Sequence, residues 1–147
     1  MKARKGFTLI ELLIVMAIIA ALMAVLIPMA TGAMKKARAT KIAVQLRNFE
    51  QGTEQYILSM LPDSDEVETI KDASVVNAGF AEDPDADSDN LTCESDTSNN
   101  KITITITYNA NDSALADLIK GSLKDAYEVL VNDTQITMVS TVDAFWW

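Results

Sequence analysis

With 147 residues, the chain has room for one modest folded domain and little beyond it. It carries 21 acidic and 12 basic residues, no histidine and a single cysteine, Cys93, which excludes an intrachain disulfide, mixed His/Cys zinc sites and Cys-x-x-Cys-His haem attachment. From Phe49 onward there are 20 acidic and 4 basic residues, a net charge of −16 that repels phosphate backbones and gives no support to nucleic-acid binding.

The N-terminus has the opposite character. Lys2, Arg4 and Lys5 precede an apolar run in which Leu12 to Ala30 is nineteen residues without a charge, and Phe7 to Ala30 holds only Glu11. As a helix those 24 residues cover about 36 Å, enough to cross the hydrocarbon layer of a bilayer. The leading bases place the N-terminus in the cytoplasm and the acidic head outside, although Lys35, Lys36, Arg38 and Lys41 at the far end weaken a bare charge count. The run is longer than a secretory signal core and no Ala-x-Ala boundary closes it, so removal at its far end is not expected.

Glu11 is the most informative residue. A carboxylate in hydrocarbon is costly and by default has a partner or a task. No Lys or Arg lies between Leu9 and Ala30, so the partner is expected from elsewhere. An amine freed by cutting between Gly6 and Phe7 would sit about one helical turn from Glu11, a geometry that suits a charge pair within one subunit or between staggered ones. The alternative is that Glu11 rides near the interface, protonated or snorkelling.

The stretch Lys5-Gly6-Phe7-Thr8-Leu9-Ile10-Glu11-Leu12-Leu13-Ile14-Val15 resembles the prepilin N-terminus shared by type IV pilins and the pseudopilins of type II secretion. The match is strong from Lys5 to Pro28 and loose to about Met60. The resemblance implies a leader at 1–6, cleaved after Gly6 by a prepilin peptidase that N-methylates the new Phe7 amine. It implies that an inner-membrane assembly machinery then extracts the chain into a homopolymer built through N-terminal helices, with Glu11 recognising the neighbour's N-terminus. It also implies an α+β fold, a long helix with a transmembrane first half (7–33) and an amphipathic second half that packs, with the rest of 34–147, on a small antiparallel sheet. The expected function is the structural subunit of a type IV pilus, held in the bacterial inner membrane before assembly and extracellular afterwards. The alternative is a pseudopilin or minor pilin of a secretion or DNA-uptake machine. No cofactor is expected, and no enzyme, because no nucleophile has a base beside it and no acids are paired in a pattern.

Pro28 and Gly32 fall near the outer end of the span, where a missing backbone donor and a flexible residue favour a bend or a locally unwound turn. From Met34 the apolar positions Ile42, Leu46, Phe49, Tyr56, Ile57 and Met60 recur at helical spacing and form one stripe that needs a sheet to cover it. Leu61-Pro62-Asp63 ends the helix.

Residues 61–100 are poor in pattern: a short acidic linker, partly helical at most, then a polar loop from Ala81 to Asn100 that contains Cys93. Within that loop Asp83, Asp85, Asp87 and Asp89 alternate and Glu94 follows eleven positions after the first, part of the oxygen spacing of a calcium loop. Ser88 stands where the tight turn needs glycine, so a solvated acidic loop without metal is the expectation. Lys101 to Tyr108 alternates Ile102, Ile104 and Ile106 with Thr103, Thr105 and Thr107, a strand with one buried face. Asp112 or Ser113 should cap an amphipathic helix over 114–130, and Gln135–Val142 should form a second strand. Phe145-Trp146-Trp147 suits either core packing or a subunit contact. The paired cysteines that often bracket a C-terminal loop in such pilins are missing, so receptor-binding roles placed on that loop do not carry over.

Overall fold

The computed structural model describes residues 7–82, 84 and 90–144. Its order is α1 (Leu9–Met60), α2 (Ser64–Val67), α3 (Asp72–Asn77), β1 (Leu91–Asp96), β2 (Lys101–Asn109), α4 (Ser113–Leu123), β3 (Glu128–Asn132) and β4 (Gln135–Asp143). The class is α+β, as expected: a long N-terminal helix and a four-stranded antiparallel sheet ordered β1-β2-β4-β3. Two compact units divide the chain, Met1–Lys35 and Lys36–Trp147.

In the first unit every described residue is exposed, from Phe7 to Lys35. A surface of Leu, Ile, Val and Met with nothing over it is unstable in water, so this stretch requires lipid or protein around it.

In the second unit the apolar stripe of α1 is buried at Ile42, Leu46, Phe49 and Ile57, while Met60 departs from the expected stripe and is exposed. The stripe joins one core with the inner face of the sheet. That face follows from the two-residue period of strands: Ile102, Ile104 and Ile106 point inward while Thr103, Thr105 and Thr107 take the other side. Register carries the pattern across, pairing Ile104 with Cys93, Ile106 with Leu91 and Met138, and Ile102 with Val142.

Two sequence expectations are corrected here. The polar loop contains β1, because Leu91 and Cys93 alternate with Thr92 and Glu94 and pair along β2. Two apolar positions are too few to stand out in a sequence, and β2 supplies the rest of the strand's definition. The helix expected over 114–130 stops at Leu123, and Glu128–Asn132 is β3. Val129 and Val131 sit opposite Met138 and Ile136, so β-branched pairing on β4 wins over a helical spacing that the same residues also satisfy. The helix start was readable, since the Asp112 carboxylate accepts from the Ala114 N–H at 3.0 Å.

Polar groups fasten α1 to the sheet layer. The Arg47 guanidinium donates to the Ser122 carbonyl in the last turn of α4, where helix carbonyls lack internal partners. Tyr127 donates its hydroxyl to buried Glu50 at 3.1 Å. At the end of α1, Leu61 adopts a φ of 49° immediately before Pro62, which terminates the helix.

Cys93 is therefore a core residue and not a loop thiol. Burial, with the nearby Asp72 carboxylate, pushes its thiol up to about 12, and burial and the Glu50 carboxylate raise the Tyr127 phenol to about 12 as well. Both groups hold protons in the folded chain that the unfolded chain releases from about pH 9 upward, so folding stability is intact at pH 8 and falls as pH approaches 12. Melting midpoints of the detergent-solubilised chain should drop between pH 9 and 11, and the drop should be smaller in a Cys93→Ala, Tyr127→Phe variant. A thiol reagent at pH 8 should label Cys93 only after denaturation.

Candidate assembly site

Helix α1 begins at Leu9, with Thr8 at the position before it. The first backbone N–H groups of any helix lack partners, and a Thr followed three residues later by Glu can satisfy them reciprocally. Thr8 and Glu11 have this arrangement: Glu11 Oε2 accepts from the Thr8 backbone N–H at 2.8 Å and from its hydroxyl at 2.7 Å. The Glu11 N–H in turn donates to Thr8 Oγ1 at 3.4 Å, a long contact.

Glu11 therefore has a partner within its own segment, where one was expected only from elsewhere. The signal was present as Thr8-x-x-Glu11 ahead of an apolar run. Thr8 occupies only one carboxylate oxygen. Among the described residues Oε1 accepts no hydrogen bond, and the carboxylate's charge has no cation beside it. The cap thus holds the side chain at the helix start and leaves one oxygen available for a positive group.

Phe7 is outside the helix and 89% exposed. Gly6, its partner in the expected scissile bond, lies outside the described residues. Pro28 and Gly32 both lie within α1, which stays helical through them without the unwound turn the sequence allows. Pro28 has no N–H for the carbonyl one turn back, and the Thr31 hydroxyl donates to the Pro28 carbonyl at 3.0 Å. A Cβ on Gly32 would meet nothing within 4 Å, so in the single chain its smallness is not demanded by any neighbour.

Of the acidic loop, Asp83, Asp85, Asp87 and Asp89 lie outside the described residues, while Glu94 is exposed on β1 opposite Thr103. Among the described residues no three acidic or sulfur ligands gather in a way that could hold a metal ion. Among the described residues one helix, α1, is long and apolar enough to cross a membrane, and its apolar stretch is wholly unburied.

Two comparisons with known proteins found a match. Residues 1–27 match a family model described as the prokaryotic N-terminal methylation motif. A 56-residue stretch is 52% identical to the type IV wide pilus major component PilA4 of Thermus thermophilus, covering 38% of this chain and 43% of that protein. The match thus spans less than half the length of that relative. No solved structure matches.

Proposed function

We propose that this chain, which carries the prokaryotic N-terminal methylation motif and resembles type IV pilins, is the structural subunit of a type IV pilus, cleaved between Gly6 and Phe7 and polymerised through α1. The observation that carries the reading is a helix end at which an otherwise oily surface presents one carboxylate with an oxygen to spare. A pilus subunit is preferred to a pseudopilin or minor pilin because the partial relative is a pilus major component.

Before assembly the apolar part of α1 lies in the inner membrane, where lipid chains cover it. Lipid is as apolar as leucine, so moving the helix from bilayer into a bundle of like helices exchanges one apolar contact for another and offers little hydrophobic gain. Glu11 changes that balance. In lipid a charge costs about 2.5–3.5 kcal/mol at the centre of a spanning helix and less toward its ends, where Glu11 sits, whereas in a staggered bundle it can meet the free amine of a neighbour's Phe7. The ion pair supplies direction and register, and packing of the remaining side chains supplies area.

A prepilin peptidase that also methylates the Phe7 amine is the implied partner. Methylation keeps the amine positive while adding an apolar group, which suits a charge that must stay within hydrocarbon. The exposed Phe7 before the first helical turn is accessible for cutting. The inner-membrane assembly machinery would drive extraction, and a bend or stretch at Pro28 and Gly32 would fit the helix to its neighbours in the packed fibre.

Mass spectrometry of purified fibres tests the reading. The subunit should begin at methylated Phe7, lighter than the full chain by residues 1–6. Fibres whose subunits still begin at Met1 or Lys2 would overturn the processing step, and absence of fibres from cells that express the chain together with the assembly machinery would overturn the filament.

A further inference from the structure

Charge is segregated along the second unit as sharply as apolarity is along the chain. No acidic residue occurs between Leu12 and Phe49, while Lys36, Arg38 and Lys41 are exposed at the start of this unit's helical stretch. Just past the end of the same stretch, Asp63, Asp65, Glu66 and Glu68 are exposed on and around α2. Among the described residues none of these seven side chains forms an ion pair.

The two patches cannot meet within one copy. Lys41, the collar residue nearest the acidic patch, and Tyr56, which lines one cleft with Glu66, lie in the same helix and the same unit, and 15 residues of helical rise separate them by about 22 Å. That is well beyond the combined reach of a lysine and a glutamate side chain. Complementary patches held far apart on one compact unit can pair only between copies, and a head-to-tail contact of that kind leaves a free patch at each end for the next copy.

We propose that the basic collar of Lys36, Arg38 and Lys41 on one copy seats against the acidic α2 region of a second copy. The proposal rests on the filament reading and sets an axial offset of at least about 22 Å between the copies so paired. The second copy fits better than an anionic lipid surface, because a leaflet reaching the collar would also face a region of net charge −16. Single exposed ion pairs contribute little, so the collar acts chiefly on register and partner choice.

Carbodiimide treatment of native fibres tests this, since it joins lysine amines to carboxylates already in contact. In fibres mixed from light and heavy-isotope subunits, hybrid peptides should link Lys36 or Lys41 to Asp63, Asp65, Glu66 or Glu68. Fibres in which the collar is linked only elsewhere, or not at all, overturn the pairing and leave the filament reading standing. Failure of the native chain to form fibres overturns both.

Charge exchange gives a second measure. The variant Lys36→Glu, Arg38→Glu, Lys41→Glu should lower fibre yield roughly tenfold, and so should Asp65→Lys, Glu66→Lys, Glu68→Lys. A chain carrying both sets restores complementarity and should recover most of the yield. Equal loss in the combined chain and in either set alone overturns the proposal. So does a collar variant that leaves the membrane fraction yet forms normal fibres, which would assign the collar to lipid.

Discussion

Glu11→Gln is expected to leave the chain in the membrane at its normal level while lowering fibre yield by about two orders of magnitude. The side-chain amide keeps an oxygen for Thr8, so the cap at the start of α1 survives and the helix begins where it did. What disappears is the charge. Breaking an ion pair in a medium of low dielectric costs about 3–5 kcal/mol when one partner is left uncompensated, and about 1.4 kcal/mol already changes an equilibrium tenfold. Thr8→Val is the matched control: it removes the hydroxyl acceptor and donor but leaves the carboxylate charged. Loss of a cap costs about 1 kcal/mol of helix stability, so this variant should retain most of its fibres. Immunoblots of membranes and of sheared fibres read both quantities. Equal fibre loss in the two variants would make Glu11 a cap and nothing more, and normal fibres from Glu11→Gln would remove the charge pair from the mechanism.

The parts of the fold that could be read from the sequence are those in which one period dominates. Ile102, Ile104 and Ile106 alternate with threonines without interruption, and nothing competes with a strand there. The apolar segment around Glu11 is legible for the same reason, since nineteen uncharged residues admit few alternatives. β3 was hidden because Ala126, Tyr127 and Leu130 continue the helical spacing of α4 while Val129 and Val131 also satisfy a strand; the choice is made by β4, which is remote from local propensity. β1 was hidden because its two inward residues are short of a pattern until β2 lies beside them. Arg47, Glu50 and Tyr127 were unreadable as a group, because 77 positions separate Glu50 from Tyr127 and only the packed sheet brings them together. At the assembly site the residue is legible and its local geometry is not: cost in hydrocarbon singles out Glu11, and that signal outweighs the weaker Thr8-x-x-Glu11 capping pattern beside it.

Gly52→Ala and Gly121→Ala should shift the stability of the second unit in opposite directions, although both replace a helical glycine with the best helix former. On propensity alone each gains up to about 1 kcal/mol. At Gly121, exposed in α4, an added Cβ meets nothing within 4 Å, so the gain should be realised. At Gly52, buried in α1, the same atom would lie 2.6 Å from the Ala81 Cβ and 2.7 Å from the Phe80 carbonyl oxygen. Contacts that short do not persist, and one of the two is to backbone, which a rotamer change cannot relieve. The segment after α3 must then move away from α1, which separates the Tyr56 and Phe80 rings from their edge-to-face contact at 5.7 Å. Overpacking of this kind costs about 1–3 kcal/mol, more than propensity returns, and Gly52→Val adds methyl groups to the same clash. In the detergent-solubilised chain the melting midpoint should rise by a few degrees for Gly121→Ala and fall by several for Gly52→Ala, with Gly52→Val lower still. Adding Ala81→Gly to Gly52→Ala removes the Cβ contact but leaves the carbonyl one, so it should recover part of the loss. A Gly52→Ala chain as stable as the native one would mean that α1 and the Phe80 segment are not in close contact, and α1 would then lack the tight seam that holds it against this part of the head.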